Sequence, residues 1–185
     1  LKSQNVVLYL GSLSLASHPI LLLLESFKQV VQRIPSALLL IVGGGEAYDR
    51  IAEEIRARNL ETSVVLVGRV VTSQVPSAYA TSQVLVDPVY DDDIARSRTP
   101  IKIAESLAAG VPVVTGDVGD RAMLLAEGKA GVLVKPGNPD ALAEGIVALL
   151  GDSERRMCMS EQARIQSQRY RWDRLIHEFI KIYDS

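Results

Sequence analysis

Residues 100–116, PIKIAESLAAGVPVVTG, read as a helix running into a strand, and their punctuation marks both limits. Thr99 is a natural cap, Pro100 pre-sets the first helical residue, and Gly110 stops the helix after three turns. The strand that follows, VPVVTG (111–116), is apolar without alternation, as suits a strand covered on both faces in a parallel sheet. The same unit recurs outward in both directions. VVLYLG (6–11), ALLLIVG (37–43), SVVLVG (63–68), VLVDP (84–88) and AGVLVKPG (130–137) each carry an apolar run and end on Gly or Pro. Helix-like stretches near 19–34, 46–59, 74–82 and 119–127 separate them. This alternation predicts an α/β fold: a doubly wound, Rossmann-like, six-stranded parallel sheet with right-handed crossovers, in a single domain over 1–185. After Asn138 and Pro139, a cap and a first helical position, the chain reads as helix to its end. YRWDRLIHEFIKIY (170–183) spaces Trp172, Leu175, Ile176, Phe179, Ile180 and Tyr183 at three and four. That stripe needs a surface, on its own sheet or on a neighbouring domain.

Composition narrows the function. With 185 residues, 48% of them hydrophobic, the chain has material for one packed core. Twenty basic and 22 acidic residues, scattered and summing to a net charge of -2, give no field for a nucleic acid backbone, so no nucleic acid partner is expected. The single cysteine, Cys158, excludes an internal disulfide and any multi-cysteine metal site, and reads as a half-buried helix residue. The run ILLLL (20–24) is far too short to span a membrane and is followed at once by Glu25 and Lys28. No secretory signal is legible, and the opening on Leu1 suits a piece of a longer protein.

Ligands of open parallel sheets bind outside the carboxyl ends of the strands. The loops to inspect therefore hold Gly11 and Ser12, Gly43 to Gly45, Arg69 and Val70 after Gly68, Pro88, and Thr115 with Gly116. Glycine there lets backbone approach a ligand, although turns use it anyway. GGGEAY (43–48) lacks the spacing of a dinucleotide fingerprint, which argues against a nicotinamide cofactor; no cofactor is expected. The start of the 100–109 helix, around Ile101, offers free N–H groups and the positive end of the helix dipole to a phosphate. Lys102 lies in that first turn, where a cation is disfavoured without a nearby anion, and Glu105 one turn deeper suits a ribose diol. An exposed Lys102–Glu105 pair is the simpler alternative. Asp91-Asp92-Asp93 contains a formal D-x-D but reads first as a solvated acidic turn, with Arg96 or Arg98 neutralising it or reaching phosphate. No metal is expected. His177 reads as structural.

The pattern P-x-K-I-x-E-x-L-A-A-G-V-P-V-V from Pro100 to Val114 resembles the donor-site signature of family 4 (group 1) glycosyltransferases, retaining enzymes with two Rossmann-like halves in the GT-B fold. VLYLGSL (7–13), VVLVGRV (64–70), VLVDPVY (84–90), the GDRAMLL segment (119–125) and YRWDRL (170–175) fall in the family's order. The resemblance covers essentially the whole chain. It implies the C-terminal half of such an enzyme, binding a nucleoside diphosphate sugar with UDP or GDP as the nucleotide. A missing N-terminal domain would hold the acceptor, and it is one candidate surface for the terminal helix. In the family, the carboxylate at Glu105 holds the ribose, backbone near 68–70 meets the base, the front of the 100–109 helix faces the diphosphate, and transfer needs no metal.

Two departures stand out. The family's usual first Glu, which contacts the donor sugar, falls at Ser97, and its two diphosphate-neutralising cations align roughly with Ser12 and His18. Lys102, or a protonated His18, would partly restore that charge. The resemblance thus implies a transferase of polysaccharide or lipid glycosylation, cytoplasmic or peripheral to the inner membrane face and inactive as this isolated piece. The departures keep open a non-catalytic nucleotide-binding or scaffold domain.

Overall fold

The computed structural model describes residues 5–16 and 18–183. Six strands form one sheet: β1 (Asn5–Leu10), β2 (Ala37–Val42), β3 (Val64–Gly68), β4 (Val84–Asp87), β5 (Val113–Gly116) and β6 (Gly131–Val134). Every pairing is parallel, and the order is β3-β2-β1-β4-β5-β6. The expected doubly wound sheet is therefore present. Its winding reverses between β1 and β4, which pair through Val7–Val84 and Leu8–Leu85. Loops leaving those two strands diverge to opposite sides, which opens a crevice at their carboxyl ends.

Helices cover both faces. On one side lie α1 (Ile20–Arg33), α2 (Tyr48–Ala57) and α7 (Pro139–Gly151), whose buried Leu23, Phe27, Ile51 and Ile146 share a core with Val7, Leu39 and Val84. On the other lie α3 (Val75–Ala80), α5 (Ile101–Ala109) and α8 (Ser153–Ser167), with Tyr79, Ile103, Leu107 and Ala163 packed on Leu8, Leu85 and Val113. Alternating faces along β1 explain the split: Val7 and Tyr9 enter one core and Leu8 the other. The unbroken apolar runs were thus read correctly as strands, and β4 and β5 are buried along their whole length; edge strand β3 is open on one face, with Val65 and Val67 each 43% exposed. Asn138 caps α7 as expected, its Oδ1 accepting from the Ala141 amide at 2.9 Å.

Several local expectations are corrected. Helix α5 starts one residue late: Pro100, in extended conformation, occupies the cap position without a side-chain bond, and the Thr99 hydroxyl instead donates to Asp120. The far end is as read, with Gly110 at φ 70° in the left-handed region. The acidic turn contains a short helix, α4 (Asp93–Arg96), because the Asp92 carboxylate accepts from the Ala95 amide at 2.7 Å. The 119–127 helix shrinks to α6 (Arg121–Leu124), since Ala126, Glu127 and Gly128 all take positive φ and turn the chain. Cys158 is exposed on α8 rather than half-buried.

The last helix, α9 (Trp172–Tyr183), does not lie on the sheet and packs chiefly on the 3₁₀ turn Gln168–Tyr170 before it. Its apolar stripe is open: Trp172 is 74% exposed and Phe179 50%. Among the described residues, no helix is long and apolar enough to cross a membrane.

Candidate functional site

A cleft of about 440 Å³ opens where the sheet reverses, between the exits of β1 and β4 and the start of α5. Its floor is Asp87, the last residue of β4, buried with both carboxylate oxygens engaged. Oδ1 faces the Lys102 ammonium at 3.1 Å, and Oδ2 accepts from Arg121 Nε at 3.0 Å and from the Thr115 hydroxyl at 3.2 Å. Arg121 is held further by the carbonyls of Ala95 and Val118, both at 3.2 Å. Burial alone pushes the Asp87 carboxyl up, but the Lys102 and Arg121 cations outweigh it and hold the group below the usual carboxylate range.

Lys102 is only 9% exposed, so the exposed Lys102–Glu105 pair is excluded and the ammonium belongs to the floor. Its Nζ stands 4.7 Å from the centroid of the Tyr9 ring. Its pairing with Asp87 is an ion pair without a regular hydrogen bond, and among the described residues no other acceptor takes up its donors. Glu105, half-buried, lines the cleft one turn above. Tyr79, on α3, donates to Glu105 Oε2 at 2.9 Å and lies 3.2 Å from the Lys102 carbonyl. Burial, followed by the neighbouring Glu105 charge, pushes the Tyr79 phenol up, so it remains a donor.

The structure gathers most of the predicted residues. Gly11, His18, Pro88, Thr99, Ile101, Lys102 and Glu105 line the cleft. Gly11, Ser12, Gly43, Arg69 and Val70 line a second hollow of about 300 Å³ that shares the Leu10–Gly11 wall. Two fall outside both. Ser97 closes α4, its hydroxyl bonded to the Ile94 carbonyl at 3.2 Å, and Gly45 packs against protein. A Cβ at Gly43 would stand 1.8 Å from the Gly11 carbonyl oxygen and one at Gly45 2.4 Å from that of Leu13. These glycines admit the loop after β1, so close ligand approach is not what requires them.

Burial first, then Lys102 and Arg98, lower the His18 pKa, which favours the neutral imidazole over the expected replacement cation while no anion is bound. Of the two arginines after the acidic turn, Arg96 neutralises it, on Asp91 at 2.8 Å, and Arg98 stands at the cleft wall. Sequence reasoning missed Asp87, Arg121, Tyr79 and Tyr9. Asp87 had a signal, a carboxylate closing an otherwise apolar strand; the other three look like ordinary surface or core residues.

Residues 1–166 match the family of glycosyl transferases group 1. The chain belongs to that family. Among similar group 1 proteins, the phosphatidyl-myo-inositol mannosyltransferase of Mycobacterium tuberculosis is 29% identical over 188 residues, covering all of this chain and 48% of the mannosyltransferase. Anabaena HepE, solved in complex with UDP and glucose, superposes with a TM-score of 0.85 at 22% identity, over 98% of this chain and 48% of HepE. Sucrose-phosphate synthase of Thermosynechococcus elongatus gives 0.83 at 24%, over 98% and 45%. These likenesses establish the fold, that of a Rossmann-like glycosyltransferase unit. This group 1 chain spans about half the length of the curated relatives it matches.

Proposed function

We propose that this chain is the donor-binding unit of a retaining glycosyltransferase that uses a nucleoside diphosphate sugar. The observation that carries the reading is the placement of Glu105 and the α5 start together on one cleft at the sheet reversal. The diphosphate faces the first amides of α5, the ribose hydroxyls donate to Glu105, and the base lies toward Arg69 and Val70 in the adjoining hollow. Tyr79 orients the Glu105 carboxylate from behind. As the bond from the sugar to the diphosphate breaks, negative charge grows on the leaving group. The helix dipole and the floor cations are fixed in advance to meet it. HepE, of the same fold, was solved with UDP and glucose, in keeping with this assignment.

The rest of the enzyme follows from length. The relatives are about twice as long as this chain, so we assign acceptor binding to the part of the whole protein outside these residues, and the open face of α9 to contact with it. Calorimetric titration with UDP and GDP tests the donor site. Glu105→Ala is expected to weaken the bound nucleotide roughly 10- to 100-fold, the worth of hydrogen bonds to a charged acceptor. Equal affinity in the variant removes the role given to Glu105. Ser97 and the neutral His18 favour a second reading, nucleotide binding without turnover. It is decided by assaying transfer in the whole protein once the nucleotide is known.

A further inference from the structure

We infer that Asp87 is a positioning residue that aims the Lys102 ammonium at the donor diphosphate, supplying the charge that Ser12 and neutral His18 do not. This rests on the donor-binding reading above. One buried carboxylate faces two buried cations, so the cleft floor carries an excess positive charge. The two cations are held differently. Arg121 is committed, with Asp87, Ala95 and Val118 all accepting from it. Lys102 is ion-paired at 3.1 Å with Asp87 alone, without a regular hydrogen bond among the described residues, so its ammonium keeps donors to offer an arriving acceptor.

The direction of that acceptor is set by the surroundings. Below Nζ is Asp87, and beside it the Tyr9 ring, whose hydroxyl is tied to the Ser12 carbonyl at 2.8 Å. Gly11 forms the upper wall, where a Cβ would come within 3.1 Å of Nζ. The ammonium therefore presses against the β1 exit next to the amides of α5, where the two phosphates are placed. His18 and Arg98 lie on the same wall and Glu105 one turn along α5. Without Asp87, repulsion from Arg121 and Arg98 would drive the flexible lysine out of the cleft floor.

Calorimetry with UDP, GDP and inorganic pyrophosphate on the full chain tests this. Lys102→Met and Asp87→Asn are each expected to weaken all three about tenfold or more. The double variant should bind no worse than about twice below the weaker single one, because both changes act through one ammonium. Uridine and guanosine, followed by NMR, should change less than about twofold, a selectivity that general loosening of the fold would not produce. Lys102→Met that binds UDP and GDP like the parent, or losses that multiply in the double variant, overturns the inference and leaves the donor reading standing. Pyrophosphate binding lost in Lys102→Met, in a parent that ignores both nucleotides, keeps the Lys102 site and removes the donor reading. A parent that binds none of the three removes both. Should Asp87→Asn fail to fold, Lys102→Met still decides, since it leaves the Asp87–Arg121 pair in place.

Discussion

The cleft floor and the C-terminal helix break the usual partition of residues in opposite ways. At the floor, Asp87, Lys102 and Arg121 put three charges where hydrocarbon normally sits. Along α9, Trp172, Ile176, Phe179, Ile180 and Tyr183 put hydrocarbon where charge normally sits. In the first region the inverted groups are nearly satisfied by one another, at the end of a strand that belongs to both cores. In the second they are satisfied by nothing on their own sheet. The difference separates what the fold needs from what the fold presents: the floor is part of the chain's stability, and α9 is attached to a structure already complete.

The largest expected effect tests the first half of that contrast. Asp87→Ala leaves two buried cations facing each other without their carboxylate, and removal of one partner from a buried ionic cluster costs about 3–5 kcal/mol. Urea unfolding of the variant against the parent measures it. The acid limb adds a sign. Because the folded Asp87 carboxyl lies below its ordinary value, its contribution is present above pH about 4, where the unfolded carboxyl has ionised, and is lost as pH falls through the folded pKa. The variant should therefore lose part of the parent's acid sensitivity below that pH. A loss under about 1 kcal/mol would mean that the three charges are dispensable to the core.

A smaller effect sharpens the reading of the floor as an anion seat. The folded His18 pKa lies below its ordinary 6.5, so the unfolded state binds the proton more readily, and protonation opposes folding. Stability of the free chain should fall as pH drops below about 6.5, and His18→Gln should remove that portion of the slope. A bound diphosphate reverses the local field, because the imidazolium then meets an anion beside Lys102 and Arg98. Nucleotide affinity should rise a few-fold from pH 8 to pH 6 in the parent and stay flat in His18→Gln. Affinity that falls over this range in the parent would place the phosphates away from His18.

Much of this was legible in the sequence, and the reasons why the rest was not are physical. Strands buried on both faces are unbroken apolar runs, so their number and parallel character could be read from VVLYLG or ALLLIVG directly. The cleft followed from the rule that ligands bind where strands exit, and Glu105 and Lys102 fell on it. The surroundings of Lys102 did not, because its partners Asp87 and Tyr9, and Arg121 that shares Asp87 with it, come from three elements brought together only by the strand order. Gly43 and Gly45 were read as letting backbone approach a ligand or simply serving a turn; what requires them is room for the loop after β1, and a glycine's neighbour is invisible in one dimension. Thr99 looked like a cap because its type is right; the extended Pro100 after it moved the helix start by one residue.

The smallest expected effect probes the other half of the contrast. Ending the chain at Arg171 removes α9 while keeping Tyr170, which packs against the second core cluster. Among the described residues, neither core cluster includes a buried residue from α9, so the truncation should cost less than about 1 kcal/mol in urea unfolding, within the range of changes that leave packing untouched. It should also reduce self-association at high concentration, because an apolar stripe of this length in water is adhesive. Both readouts matter. A large stability loss would show that α9 folds back on the sheet and belongs to the core. Unchanged stability with unchanged association would show that the stripe is too small to seek a partner, and would withdraw the contact assigned to it with the other half of the enzyme.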